Sequence, residues 1–175
     1  MRDKTLEKQI YRIEAPLQVN VRMVSILQVR KLRAMILRPD QTPEMTTYIG
    51  DYAPDTLHLG AFKNKHLVGI MTIMHQAPKE YTGNRADKLW LLRGMATLSE
   101  VRGQGYGAAL VRSGCAYVAL ERGLYLWCEA RESALGFYEK LGFALWGDRF
   151  ELPYTGPHYR MWHEITGADA AYSLF

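Results

Sequence analysis

The run Arg102-Gly103-Gln104-Gly105-Tyr106-Gly107, set directly before an amphipathic stretch, constrains this chain more than any other feature. From Ala108 to Arg122 the apolar residues Ala108, Val111, Cys115 and Val118 fall at helical spacing, and Gly123 stands where a helix C-terminal glycine belongs. Alternating glycines let a backbone curl until successive N–H groups point to one side. The start of the following helix adds free amides and partial positive charge, so the turn suits an anion such as a pyrophosphate. Taken alone it is equally a tight strand-to-helix turn that binds nothing.

The rest of the chain reads as short elements around this turn. Leu17 to Val24 alternates apolar and polar residues with the period of a half-buried strand. Ser25 is placed to cap a helix running to Leu37, whose core face is Ile26, Val29, Leu32 and Ile36, with the basic residues on the other face. Residues 39–56, with Pro39, Pro43, Gly50 and Pro54, predict a long loop holding one helical turn. His58 to Phe62 and Leu67 to Met74 form a hairpin signal, and another loop covers Pro78 to Arg85. Leu89 to Thr97 reads as a buried strand with a bulge at Arg93 and Gly94. Beyond the glycine turn and its helix come a strand at Leu124 to Cys128, a helix at Ser133 to Leu141 closed by Gly142, and strands at Phe143 to Trp146 and Tyr159 to Ile165. A hairpin first and alternating strands and helices later predict an α/β domain with a mixed sheet.

A length of 175 residues fits one domain, and 48% apolar with 23% charged residues excludes a disordered chain. We expect a domain over 17–167, an extension over 1–16 and a tail over 168–175. No run reaches the roughly 18 apolar residues of a membrane helix, and Met1 to Glu14 lacks the apolar centre of a secretory signal. Cys115 and Cys128 lie within apolar runs, which gives neither a disulfide framework nor zinc-ligand spacing. A cytoplasmic protein without metal is the expectation. The net charge is +4, concentrated in Arg22, Arg30, Lys31, Arg33 and Arg38. These read as a solvated helix face, with a surface for a phosphate-bearing ligand as the rival reading. No nucleic-acid motif accompanies them, and no membrane partner is expected.

Two functional readings compete for the turn. Gly103, Gly105 and Ala108 satisfy G-x-G-x-x-A, and Glu129 follows 26 residues after Gly103, as in a dinucleotide-binding oxidoreductase. Against this, polar Ser99, Glu100 and Arg102 separate the turn from its strand, and too little chain follows Glu129 for a doubly wound sheet. The other reading is a resemblance. Arg102 to Gly107 is an R-x-x-G-x-G signature, and Ala134-Leu135-Gly136-Phe137-Tyr138-Glu139-Lys140-Leu141-Gly142-Phe143 resembles an A-x-x-F-Y-E-K-L-G-F element; with both blocks in order, the chain resembles the GNAT superfamily of N-acetyltransferases from Leu89 to about Ile165.

The resemblance implies a mostly antiparallel sheet splayed near its middle, flanked by helices, and direct transfer of an acetyl group from acetyl-CoA to an amine without a covalent enzyme intermediate. It implies that the amides of Arg102, Gly103, Gln104, Gly105, Tyr106 and Gly107 cradle the pyrophosphate of coenzyme A, and that Met95, Ala96 and Thr97 bind the pantetheine arm. Tyr138 matches the tyrosine that protonates the departing thiolate, its rival role being a core aromatic beside Phe137, which takes the core role. For the general base, Glu129 is the candidate by position, ahead of Asp55, His58 and Glu132. His158 reads as a surface histidine, its rival role being one on the substrate side. Cys128 reads as a core cysteine. Where the family often has Asn, Cys128 and Arg131 stand here, which assigns Arg131 to a phosphate or an acidic group. The expected acceptor is a small-molecule or peptide amine, and dimerisation through the late strands is in keeping with the superfamily. A module that binds acyl-CoA without catalysis is the remaining alternative.

Overall fold

The computed structural model describes residues 19–153 and 155–172. Its first strand, β1 (Asn20–Met23), covers part of the expected one, residues 17 and 18 lying outside the described part. Ser25 then caps helix α1 (Ile26–Leu32). Its hydroxyl accepts from the Gln28 amide while the Gln28 side chain accepts from the Ser25 amide, a reciprocal cap worth about 1 kcal/mol. The helix continues as a π-helical turn, Arg33–Leu37. Here one expectation fails: Arg33 is fully buried rather than on a solvated basic face. A loop with one 3-10 turn at Glu44–Thr46 follows.

Strands β2 (Leu57–Lys63) and β3 (His66–His75) form the expected hairpin, turning through Asn64, whose left-handed φ of 56° an asparagine tolerates. Strand β4 (Leu89–Thr97) pairs antiparallel with β3, and the register jumps between Ile70 and Thr72 as expected for a bulge. Gly94 sits in the bulge at φ 58°, where an added Cβ would lie 2.8 Å from Arg33 Nε.

Helix α2 (Tyr106–Leu120) starts two residues earlier than its apolar pattern, with Gly105 as its N-cap at φ 85°. Its left-handed terminal residue is Arg122, not Gly123. Gly123 answers a different need: a Cβ there would fall 2.4 Å from Val118 and 2.7 Å from the Trp90 ring. Small residues let α2 lie close on the sheet, and a Cβ on Gly114 would be 2.6 Å from Met71 Cε. Leu110, Val118, Met71, Ile73 and Leu126 fill the interface between helix and sheet with at most 1% exposure, each worth roughly 1.5–3 kcal/mol of burial.

Strand β5 (Tyr125–Arg131) runs parallel to β4, extending past the expected end at Cys128. A turn at Glu132–Ala134 leads into α3 (Leu135–Glu139), ended by Gly142 at φ 83°. Then come β6 (Ala144–Leu145), the short β7 (Phe150–Leu152), which the sequence pattern did not reveal, and β8 (Gly156–Glu164). The sheet order is β1-β2-β3-β4-β5-β8-β6, with β7 also on β8. Among the described strands β4 and β5 form the one parallel pair, so the sheet is mixed and mostly antiparallel. That topology removes the support for a doubly wound dinucleotide-binding unit. A last turn, α4 (Gly167–Ala170), packs on α2, where Asp169 meets His163 at 3.1 Å. No helix among the described residues is long and apolar enough to cross a membrane.

Candidate active site

The site follows from where β4 and β5 part. They pair from Leu89 opposite Tyr125 to Leu92 opposite Cys128, and there the ladder stops. Beyond it, among the described strands, Ala96 and Thr97 pair only with β3, while Glu129, Ala130 and Arg131 pair only with β8. The bulge at Gly94 bends β4 away at this point. The result is a wedge in the middle of the sheet, with a cavity on either side of its mouth.

The first cavity, about 630 Å3, is floored by Met95, Ala96 and Thr97 and closed by the glycine turn and by Phe137 and Tyr138. Gly103 and Gly105 have φ of 74° and 85°, and a Cβ on either would meet nothing within 4 Å, so the turn stands open toward the cavity. The amides of Arg102 and Gln104 donate within the turn, to Ser99 and Val101 carbonyls at 3.3 Å each. The first α-helical bond of α2 is Ala109 to Gly105 at 2.9 Å, which leaves the amides of Tyr106, Gly107 and Ala108 without an intrahelical acceptor. Among the described residues, nothing accepts from the amides of Gly103 and Gly105 either. The free donors are therefore those of residues 103 and 105–108, a narrower and slightly later set than Arg102 to Gly107. Gly107 has a separate constraint: a Cβ there would lie 3.1 Å from Met95 Cε and 3.3 Å from the Phe137 ring. Open donors on a helix start and a cavity of this size fit the pyrophosphate and arm of coenzyme A.

Tyr138 lies where the two cavities meet and lines both. It is also the more buried member of the aromatic pair, 7% exposed, whereas Phe137 is only half-buried, the reverse of the expected division of labour. Its ring packs edge-on against Phe137 and Phe143, and its hydroxyl donates to Met95 Sδ at 3.6 Å. Burial, and then the neighbouring Cys128 thiol, push this hydroxyl well above the ordinary tyrosine value. It is thus held protonated, the state an acid needs. Cys128 is 1% exposed, and burial pushes its thiol up as well, which is the state of a core cysteine rather than of a nucleophile.

The second cavity, about 390 Å3, occupies the other side of the wedge, with Arg38, Arg93, Glu129, Arg131 and His158 among its lining. Glu129 is 3.6 Å from Arg160 Nε, while Glu80 holds the far edge of that guanidinium at 2.9 Å. His158 is 5% exposed, not a surface residue. Its Nδ1 lies 2.9 Å from the Gly156 carbonyl, which can only accept, so in the neutral ring the lone pair is on Nε2. The other acid–base candidates stand elsewhere. Asp55 is exposed outside the wedge, and Glu132 accepts from the Tyr159 hydroxyl and faces Arg149 at 3.7 Å.

His58 belongs to a buried network that the sequence pattern did not reveal. Arg33 binds both oxygens of Asp51 at 2.6 and 3.0 Å, the Thr46 carbonyl at 3.1 Å and Thr72 Oγ1 at 2.8 Å. His58 bridges the Asp51 carbonyl at 3.0 Å and Thr72 Oγ1 at 2.8 Å. The carbonyl requires the proton on Nε2, and both ring nitrogens are occupied. Burial lowers the His58 pKa, with the Arg33 and Arg93 charges adding to it, so the ring is a neutral structural link and not a base at the wedge. Burial raises Asp51, but the Arg33 hydrogen bonds, the Tyr48 amide and the Arg33 and Arg93 charges outweigh it and hold the carboxyl below the usual range. Arg93 also donates to the Ile49 carbonyl. The network thereby fixes the 39–56 loop against the bulge of β4.

Comparison with known proteins gives concordant findings. Residues 26–143 match the model of the acetyltransferase (GNAT) family. Over 147 residues the chain is 33% identical to YitI of Bacillus subtilis (strain 168), described as an uncharacterized N-acetyltransferase, covering 84% of this chain and 97% of that protein. Among solved structures, an aminoglycoside 6'-N-acetyltransferase complexed with coenzyme A superposes with a TM-score of 0.64 at 17% identity, covering 84% of this chain and 97% of the other. Escherichia coli ElaA does so with a TM-score of 0.65 at 17% identity, covering 83% and 99%. At these identities the structural likeness concerns the fold.

Proposed function

The chain belongs to the acetyltransferase (GNAT) family, and we propose that its wedge carries out transfer of the acetyl group of acetyl-CoA directly to an amine, with the two cavities holding donor and acceptor on either side of Tyr138. The observation that carries this reading is the open glycine turn beside the parted strands, with a buried, protonated tyrosine between the cavities.

The donor supplies a thioester whose carbonyl is attacked by the amine nitrogen. The amides of Gly103, Gly105 and Tyr106 to Ala108 bind the pyrophosphate, and Arg131, which lines both cavities, meets a phosphate or the acceptor. Met95, Ala96 and Thr97 line the path of the pantetheine arm, and an amide of this segment stabilises the developing oxyanion. An amine attacks only when neutral, and Glu129 and the Nε2 atom of His158 are the acceptors for its proton. The nitrogen–carbon bond forms, the carbon–sulfur bond breaks, and Tyr138 gives its proton to the departing sulfur. No covalent enzyme intermediate is needed, since the buried Cys128 thiol is kept from ionising.

On this reading the enzyme is one domain over 17–167, works in the cytoplasm and takes a small-molecule or peptide amine. The exposed apolar edge at Leu145 and Trp162 supports a homodimer across the late strands. Thiol release from acetyl-CoA in the presence of a panel of amines tests the reading. Amine-dependent release that is lost in Tyr138→Phe is the expected result; coenzyme binding with no transfer to any amine would instead favour a non-catalytic module.

A further inference from the structure

The charges of the second cavity point to a class of acceptor. Among the described residues lining it, the cationic side chains are Arg38, Arg93 and Arg131, and the carboxylate is Glu129. The counter-charge nearest Arg93 is shared, and its other partner is the neutral Ile49 carbonyl. Asp51 gives both oxygens to Arg33 at 2.6 and 3.0 Å and accepts from the Tyr48 amide at 2.6 Å, which leaves Arg93 at 3.8 Å. The Nε of Arg93 is buried with no partner among the described residues. Among the described residues Arg38 donates only to the Leu37 carbonyl, and no described carboxylate lies within ion-pair distance of Arg38 or Arg131. Glu129 is likewise incompletely paired, because Arg160 turns two of its nitrogens to Glu80 at 2.9 and 3.2 Å.

A partly desolvated guanidinium whose counter-charge is shared and distant is incompletely compensated, and a bidentate carboxylate or phosphate is the partner its geometry fits. The cavity thus carries cationic groups and one available carboxylate in a space of small-molecule size. We propose that the acceptor is a small amine that also bears an anionic group, a carboxylate or a phosphate, held by Arg38 and Arg93 with Arg131 at the border of the donor cavity, while Glu129 faces the amine. The proposal rests on the reading of the wedge as an acetyl-transfer site. A polyamine would meet several like charges there, and a neutral alkylamine would leave Arg38 and Arg131 without a carboxylate or phosphate partner.

The test compares matched acceptors: ω-amino acids and aminoalkyl phosphates against alkylamines of the same length, α-amino acids against their amides, and spermidine. The anionic member of each pair is expected to show at least a tenfold higher kcat/KM, the phosphate and carboxylate series deciding which anion is preferred. In Arg38→Gln and Arg93→Gln that preference should shrink toward unity while the KM for acetyl-CoA stays within twofold. Arg93→Lys, which keeps the charge, should retain part of it. Equal or faster turnover of neutral or polycationic amines would overturn the proposal. Calorimetry on the protein with coenzyme A, using the N-acetylated products, reads the same preference without turnover. At least tenfold tighter binding of an N-acetyl amino acid than of its amide is expected, and equal affinity overturns the proposal. Should acetyl-CoA bind and no amine be acetylated, the transferase reading fails, and the product affinities still decide the charge preference.

Discussion

The glycine turn and the Arg33 network lie on the same wedge and are built in opposite ways. The turn, residues 102–107, offers the amides of Gly103, Gly105, Tyr106 and Gly107 to an open cavity, and its two left-handed glycines put no side chain in the way. The network hides an Arg–Asp pair with both side chains at 0% exposure and joins residues 18 and 39 positions apart. In the turn the binding groups are contiguous and their geometry is set by local φ; in the network they exist only once the loop has folded over the bulge. The difference teaches that the turn is specified locally and the network by tertiary assembly. It follows that damage to the turn should strike function with a smaller loss of stability, and damage to the network should strike stability first.

The strongest way to break that division is Asp51→Ala. Removing one partner of a fully buried ion pair leaves Arg33 uncompensated, and a loss of about 3–5 kcal/mol in a urea titration is expected. Replacing both partners, Arg33→Met with Asp51→Leu, should recover much of the loss. A loss below about 1 kcal/mol for Asp51→Ala would mean that the network does not hold the loop.

Next comes Tyr138→Phe, which deletes a hydroxyl whose partner in the fold is a weak thioether acceptor. Stability should change by less than about 1 kcal/mol, while kcat for acetyl transfer falls about 100-fold, the low end for loss of a general acid. Unchanged kcat would return Tyr138 to the core-aromatic role.

On the turn itself, Gly105→Ala puts an L side chain at φ 85° and a methyl into the cavity. A strain cost of about 1–2 kcal/mol and a roughly tenfold rise in KM for acetyl-CoA are expected, measured by denaturation and by saturation kinetics. Gly136→Ala provides the contrast, since a Cβ there meets nothing within 4 Å and Gly136 does not have a left-handed φ. It should leave both quantities nearly unchanged.

The smallest effect is a pH slope. His58 has a lowered pKa, so between its folded value and the unfolded value of about 6.5 the unfolded chain binds more protons, and stability rises with pH. The cost should be absent above about pH 7 and grow as pH falls below the unfolded pKa. Asp51, whose pKa is lowered, adds stability that is present above its unfolded value of about 4 and lost as pH falls further. His58→Gln should flatten the slope between pH 7 and 5 and leave the acid limb below pH 4. A slope unaltered by that change would mean that His58 does not set it.

The same contrast decides what the sequence disclosed. The cap at Ser25, the hairpin, the bulge at Gly94 and the order of strands and helices are local or periodic signals, and the structure contains them. The two motif blocks were legible because the residues of each are consecutive. Arg33 was misplaced because helical periodicity assigns a basic residue to solvent unless its partner is known, and Asp51 lies in a loop without periodicity. His158 was read as exposed because the pairing of β7 across from it, which covers it, comes from a strand of three residues. Gly123 carried a true signal for a wrong reason: the glycine is required by Trp90 rather than by its own φ. No local pattern could show that Asp51 is held by Arg33 at hydrogen-bond distance and reaches Arg93 only at 3.8 Å, and the inference about the acceptor depends on that unequal sharing.

The central claim is that the open turn beside the wedge is a site for coenzyme A. Thermal denaturation with acetyl-CoA, coenzyme A and NAD tests it most directly, because a ligand that binds only the folded state raises Tm with occupancy. A rise in Tm with both coenzyme A species, none with NAD, and a smaller rise in Gly105→Ala is the predicted result. A rise with NAD alone, or no rise with acetyl-CoA, would contradict the account.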